Sequence, residues 1–379
     1  MKTPPTKALC LAVLAAGSLL APAKPLKIYV LAGQSNMTGI VETSTLEHIK
    51  MSPDSAKEFA DLFDSNGKPV ELEEVRVSCW PKNGSEQMGI LKPGYGGGSK
   101  ESMFGPEYAF GVYMHKKLQE PILIIKCGQG GRNLHFNFRP PSAGEWTPPA
   151  GHPDLAKPST YKPKPENPNN PKTIVSYEYK KMITHVQDVL KDLKKYHPEY
   201  NEKDGYEIAG FAWFQGWNDM IDGGVYPNRK EPKGYDQHTW LLEHLIRDVR
   251  KDLNAPKMPF VIGVMGVGGI QDESTLIGNF QAAQAAAAEN PDFKGNVAAL
   301  QTGDFWDHQL AELSSRANAI RKAKPDAKEK LKPLTPEEEH LLKIGVSEGD
   351  YHYLGSGKIM AGIGKGFAAS MLQLEAQAK

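Results

Sequence analysis

The sequence predicts an α/β domain built on a parallel sheet with helices on both faces. Three observations predict it. Short apolar runs alternate with helical patterns along the chain, as strand–helix–strand units require. Some runs, Ile122-Leu123-Ile124-Ile125 above all, are apolar without interruption, the mark of a strand buried on both faces. Polar, glycine-bearing segments fall directly after strands, at the sheet edge where such folds bind ligands.

The elements follow in order. Lys2 and Lys7 precede an apolar stretch from Ala8 to Ala21, and Ala21-Pro22-Ala23 offers small residues for cleavage. That stretch is shorter than the ~20 residues a spanning helix needs. Residues 1–23 therefore read as a signal peptide, and 24–379 as one exported domain, secreted or periplasmic. Leu26 to Leu31 is a β-rich run ending at Gly33. Thr45 to Phe63 holds a short helix, and Val75 to Trp80 a second strand. Leu91 to Ser99 is a glycine-rich loop. Pro106 to Leu118 has apolar residues at helical spacing, with proline where a first turn tolerates it. After the strand at Ile122 to Lys126, the Pro-, Asn- and Gly-rich stretch of about 139–172 reads as an extended surface loop. Ser176 to Tyr196 is an amphipathic helix and Ile208 to Phe214 a buried strand. Thr239 to Leu253 is a helix, Pro259 to Val264 a strand, Asn279 to Glu289 an alanine-rich helix and Val297 to Gln301 a last strand. A helix from about Gly355 to Gln373 closes the chain.

Composition sets limits. The 379 residues are 40% hydrophobic and 24% charged, enough for a sizeable core. The formal net charge is zero, which argues against a general nucleic-acid binder, since that needs excess Lys and Arg to displace counterions. Cys10 falls in the signal. Cys79 and Cys127 remain, as a disulfide or as two buried thiols, and their spacing gives no metal-site signal.

Four segments carry chemistry. Gly33-Gln34-Ser35-Asn36-Met37 follows a strand, so Ser35 can present its hydroxyl at the sheet edge while its own N–H donates to a developing oxyanion. Read by itself, it is equally a capping serine. His352, in Glu348-Gly349-Asp350-Tyr351-His352-Tyr353, suits a base near neutral pH, with Asp350 two residues away as a candidate orienter. In Trp213-Phe214-Gln215-Gly216-Trp217-Asn218-Asp219, either Gln215 or Asn218 can point an amide at an oxyanion. Gly128-Gln129-Gly130-Gly131-Arg132 permits close backbone approach and a further N–H donor. It lacks the ending and spacing of a phosphate loop.

These segments resemble the sialate O-acetylesterase-like family of SGNH hydrolases, which includes acetylxylan esterases of carbohydrate esterase family 6. Leu31 to Met37 with Gly39 resembles its nucleophile block, and Phe104-Gly105-Pro106-Glu107 its Gly-Pro-Glu helix start. Lys126 to Leu134 resembles the second block, Trp213 to Asp219 the third, and His352-Tyr353 with Gly355 the histidine block. The resemblance implies a three-layer α/β/α flavodoxin-like domain and a secreted carbohydrate O-acetylesterase acting through an acetyl-serine, with no metal and no cofactor. It implies Ser35 as nucleophile and His352 as base. The N–H groups of Ser35 and Gly131, with Gln215 or Asn218, would form the oxyanion hole. An acetylated oligo- or polysaccharide would be the substrate.

Two departures from the family pattern stand out. Many SGNH enzymes carry Asp three residues before the His. Gly349 stands there in this chain, which leaves Asp350, with Glu348, Asp304 and Asp307 in reserve. Close relatives read Gln-Gly-Glu in the third block, where this chain has Trp217, while Gly216-Trp217-Asn218-Asp219 keeps the Gly-x-Asn-Asp of the wider superfamily. Trp80, Tyr95, Trp146 and Trp217 fit sugar stacking or ordinary packing. The competing readings are a non-catalytic carbohydrate-binding protein on an esterase fold and an esterase for other short acyl esters.

Overall fold

The structure, a computed structural model, describes residues 24–82, 85–97, 102–147, 174–324, 326 and 331–377. The expected signal peptide and most of the 139–172 loop lie outside the described residues. No described helix is long and apolar enough to cross a membrane.

Seven strands form the main sheet: β1 (Leu26–Gly33), β3 (Leu72–Lys82), β4 (Ser85–Leu91), β6 (Ile122–Gly128), β7 (Tyr206–Phe214), β8 (Phe260–Val264) and β9 (Val297–Gln301). Their order is β4-β3-β6-β1-β7-β8-β9. Every neighbouring pair is parallel except β3 with β4, an antiparallel edge pair. The short strands β2 (Val41–Glu42) and β5 (Met103–Phe104) form a separate ribbon. The expected parallel sheet with flanking helices is the observed one. Within it, β6 lies between β1 and β3, which departs from the 2-1-3-4-5 order of flavodoxin itself.

Alternation along the central strands builds two cores. In β1, Tyr29 and Leu31 face one side and Ile28, Val30 and Ala32 the other. The first side packs under α3 (Glu107–Leu118) and the closing helix Gly357–Gln377, through Phe110, Ile363 and Phe367. The second packs under α4 (Tyr177–Lys191) and α7 (Asp236–Asp252), through Met182, Val186, Leu242 and Ile246. Each such side chain contributes ~1.5–3 kcal/mol of burial, so the strands need apolar residues on both faces. Cys79 pairs in register with Lys126, the residue before Cys127, so the two thiols fall on opposite faces of the sheet. Both are buried and no disulfide joins them.

Several elements exceed the sequence reading, the longest being β4, the helix His308–Lys322 and the helix Pro336–Gly345. The long helix expected to Tyr196 breaks at Asp192 into α4 and α5 (Leu193–Tyr196). The short helix expected within Thr45 to Phe63 is a 3₁₀ stretch over Thr43–Met51 followed by α2 (Pro53–Glu58).

Candidate active site

The strand order decides where chemistry can gather. From β1 the chain places β6 on one side and β7 on the other, so the turns after these three strands converge at the sheet's carboxyl edge. They are the three polar blocks, and they are bonded together. Gln129 N–H donates to Gly33 O at 3.0 Å and Gln34 N–H to Phe214 O at 3.1 Å. Gly216 N–H donates to Gln34 Oε1 at 3.0 Å. Close approach dictates glycine at two of these positions. A Cβ on Gly33 would lie 2.1 Å from Phe214 O, and one on Gly128 would lie 2.6 Å from Thr38 N.

Ser35 opens the one-turn helix α1 (Ser35–Thr38) and is 6% exposed. Its neighbour Asn36 donates from Nδ2 to Tyr351 O at 3.2 Å, which ties the serine turn to the histidine turn. Ser35 Oγ and the His352 ring are not hydrogen-bonded to each other among the described residues. Such contacts commonly tighten only when substrate is bound.

His352 lies in a 3₁₀ turn, Asp350–Gly355, that contains two non-glycine residues at positive φ, Tyr353 at 52° and Leu354 at 61°. Conformations of this kind cost on the order of 1–3 kcal/mol each and persist where the surroundings hold them. Here Tyr353 is fully buried, and its hydroxyl accepts from Gly266 N–H at 2.7 Å and pairs with Thr302 Oγ1 at 2.6 Å. Ser347 and Glu348 N–H groups both donate to Leu354 O. Burial lowers the His352 pKa, and the charge of Glu348 offsets part of that.

The carboxylates named as candidate orienters lie at different distances from the ring. Glu348 Oε1 stands 4.0 Å from His352 Nδ1. Asp350 is exposed and makes no side-chain bond to His352 among the described residues. The turn carries Glu348, four residues back, toward the ring. Asp307 caps Leu310 N–H and pairs with Lys358, while Asp304 is exposed.

The amide donors also separate. Gln215 is buried, and its Nε2 is committed to Asp219 Oδ2 at 2.5 Å and Arg132 O at 3.2 Å. Asn218 is half-buried in α6 (Trp217–Met220) and makes no side-chain hydrogen bond among the described residues. Gly131 has φ of 67°, and Gly130 faces Ser35, whose Cβ would lie 3.6 Å from a Cβ there. Arg132 is clamped by Glu178 Oε1 at 2.5 Å and reaches back to Gly130 O at 3.2 Å.

Behind the serine turn, the buried Lys126 and Glu107 pair at 2.6 Å, and Glu107 also accepts from Gly105 N–H. Trp80 and Tyr95 are core residues, not exposed platforms. The Trp80 indole donates to Gly128 O, and Tyr95 is 6% exposed. Trp146 packs edge-on against Phe136. Trp217 is half-buried, with Tyr351 6.0 Å away at a 42° tilt. Tyr351, which the sequence reading passed over, is 45% exposed and its ring lies 4.4 Å from that of His352. Asp219 was likewise passed over as a site residue, although it closes the third block.

A mostly parallel sheet covered by helices on both faces, with polar turns gathered at its carboxyl edge, is the three-layer architecture of an α/β/α esterase. The sequence profile of the family described as "Carbohydrate esterase, sialic acid-specific acetylesterase" matches residues 25–307. This chain belongs to that family and is a carbohydrate esterase, a carboxylic ester hydrolase. Among solved structures, it is similar to a protein from Arabidopsis thaliana at 16% identity and a TM-score of 0.45, covering 92% of this chain and 98% of that one. It is also similar to a carbohydrate acetylesterase from Xanthomonas citri at 14% identity and a TM-score of 0.41. That match covers 72% of this chain and 48% of the other, so the chain spans about half of that protein. No curated protein sequence matches the chain.

Proposed function

We propose that this protein is an exported carbohydrate O-acetylesterase that works through an acetyl-serine on Ser35. One observation carries the reading. The turns after β1, β6 and β7 are bonded into one site, and Asn36 joins that site to the histidine turn through Tyr351 O.

Each residue then has a step. Ser35 Oγ attacks the acetyl carbonyl carbon while His352 takes its proton. The carbonyl oxygen becomes an oxyanion and receives the N–H groups of Ser35 and Gly131 and the Asn218 amide. Collapse breaks the bond to the sugar oxygen, which leaves with the proton held by His352. Water then attacks the acetyl-serine, again giving its proton to His352, and acetate departs as Ser35 regains a proton. In this scheme Glu348 takes the acid's position, and Gln215 holds the loop instead of meeting the oxyanion. Tyr351 and Trp217 form an aromatic wall beside His352 that suits the apolar face of a sugar ring. Export follows from the Lys2 to Ala23 pattern alone.

The test is acetate release by the mature protein from p-nitrophenyl acetate and from an acetylated polysaccharide. Turnover of both, lost in Ser35→Ala, is the expected result. Turnover that survives Ser35→Ala would overturn the mechanism. Glycan binding without turnover of any acetyl ester would favour a binding protein.

A further inference from the structure

Asp219 is fully buried beneath the turns of the site and collects hydrogen bonds from two of the three blocks. Its Oδ2 accepts from Leu134 N–H at 2.8 Å and from Gln215 Nε2 at 2.5 Å. Its Oδ1 accepts from His135 N–H at 3.2 Å and from Tyr226 OH at 3.0 Å, with His238 Nδ1 3.7 Å away. The same Gln215 Nε2 donates to Arg132 O, one residue after Gly131. Asp219 itself follows Asn218 in α6. One carboxylate therefore fixes the loop that carries Gly131 from below, through Leu134 and His135. It also fixes that loop from the side, through Gln215, and anchors the turn that carries Asn218.

We propose that Asp219 is the positioning residue of the oxyanion hole, holding the Gly131 loop and the Asn218 turn in register with each other. The proposal rests on the acyl-transfer reading of Ser35. Three of the four groups bonded to it, the N–H groups of Leu134 and His135 and the Gln215 Nε2 amide, are donors only. A neutral amide of the same shape would turn one acceptor into a donor facing donors. The loop would then shift by the fraction of an ångström that oxyanion geometry does not tolerate.

The experiment compares wild type with Asp219→Asn on p-nitrophenyl acetate. It adds inhibition by an alkylboronic acid, which forms a tetrahedral adduct on a serine hydroxyl. The expected result for a folded variant, checked by circular dichroism, is a kcat about 100-fold lower. KM should change less than about threefold, and boronate affinity should weaken by nearly the same factor as kcat. A kcat within about threefold of wild type would overturn the proposal. So would a lowered kcat with boronate affinity intact. If Asp219→Asn does not fold, Gln215→Met removes the links to Arg132 O and Asp219 Oδ2 while Leu134, His135 and Tyr226 still bond the carboxylate, and the same split is expected of it. A wild-type enzyme that neither turns over the ester nor loses boronate binding on Ser35→Ala would overturn the underlying reading, and the proposal with it. Loss of both in Ser35→Ala leaves the Asp219 result to decide the proposal alone.

Discussion

Among the described residues, two places bring together a serine, a histidine and a glutamate. At the carboxyl edge of the sheet are Ser35, His352 and Glu348. In the second place, Ser78 Oγ lies 3.3 Å from His185 Nε2 and 3.1 Å from Glu86 Oε1. The second set has the closer serine–histidine contact, although its glutamate meets the serine and not the imidazole. It is nevertheless sealed. Ser78 is fully buried in the middle of β3, where backbone N–H groups are spent on the sheet ladder. Burial pushes the His185 pKa down to about 4, and Lys195 and Tyr196 occupy Glu86. Ser35 has fewer partners and a better address: a strand end, a glycine loop facing it and a half-buried imidazole in the adjoining turn. A hydrogen bond from serine to histidine does not make a nucleophile; a reachable carbonyl position with N–H groups around it does.

The strongest way to break this comparison is to delete each serine. Ser35→Ala should lower acetate release by ~10⁴-fold or more, the scale of nucleophile loss in serine hydrolases. Ser78→Ala should leave kcat within about threefold. It should lower the thermal midpoint by a few degrees, because it removes hydrogen bonds of ~1 kcal/mol each among buried groups. The opposite pattern would move the active site to the wrong serine.

The acid position comes next. Glu348 raises a His352 pKa that burial lowers, so Glu348→Gln should shift the acid limb of the kcat/KM profile to lower pH. Because the 4.0 Å separation is too long for a hydrogen bond, kcat should fall only ~10–100-fold, less than the ~10⁴ of a bonded triad acid. Asp350→Asn should cost less than Glu348→Gln. The reverse ranking would return the role to Asp350.

These two tests separate what the sequence could say from what it could not. Buried strands were legible because two-sided burial writes unbroken apolar runs, as at Ile122 to Ile125. The serine, glycine and histidine turns were legible because each follows a strand or precedes a helix. The edge strand β4 was not, since Glu86-Gln87-Met88 has too little burial to show a pattern, although the sequence carries the hairpin dipeptide Asn-Gly at 83–84. The two missed helices carried readable caps. Asp307 accepts from Leu310 N–H, and Thr335 with Glu338 forms a capping box. That Gln215 Nε2 is already bonded to Asp219 while the Asn218 amide is not was not readable at all, because no spacing in the sequence records it. The nearness of Glu348 to His352 was equally hidden, since spacing in the sequence does not reveal how a turn with Tyr353 and Leu354 at positive φ will aim its side chains.

A smaller effect should distinguish the mouth of the site from its centre. Tyr351 is exposed beside His352, whereas Ser78 and His185 open onto no such wall. Tyr351→Leu keeps apolar bulk and removes the flat face. Stacking of this kind contributes on the order of 1 kcal/mol. The ratio of kcat/KM on an acetylated oligosaccharide to kcat/KM on p-nitrophenyl acetate should therefore fall about fivefold to tenfold. An unchanged ratio would remove the sugar from that wall.

The smallest effect belongs to the sealed pair and appears in stability, not turnover. His185 titrates near 4 in the folded chain against an ordinary 6.5, so the unfolded chain binds more protons between those values. The stability this gives is fully present above pH 6.5 and drains away as pH falls toward 4. Asp219, which burial would raise but which His238, His135 and Leu134 N–H hold down at about 2, adds a second loss as pH falls from 3.8 toward 2. His185→Gln removes the first titration and keeps a polar partner for Ser78. The urea midpoint should then depend less steeply on pH between 6.5 and 4, with the remaining slope carried by the other depressed histidines, His48, His197, His244 and His352. The acid limb of catalysis should stay where it is. An altered acid limb in His185→Gln would mean that the buried pair reaches the chemistry after all, and an unaltered stability slope would mean that its histidine is not held neutral by the fold.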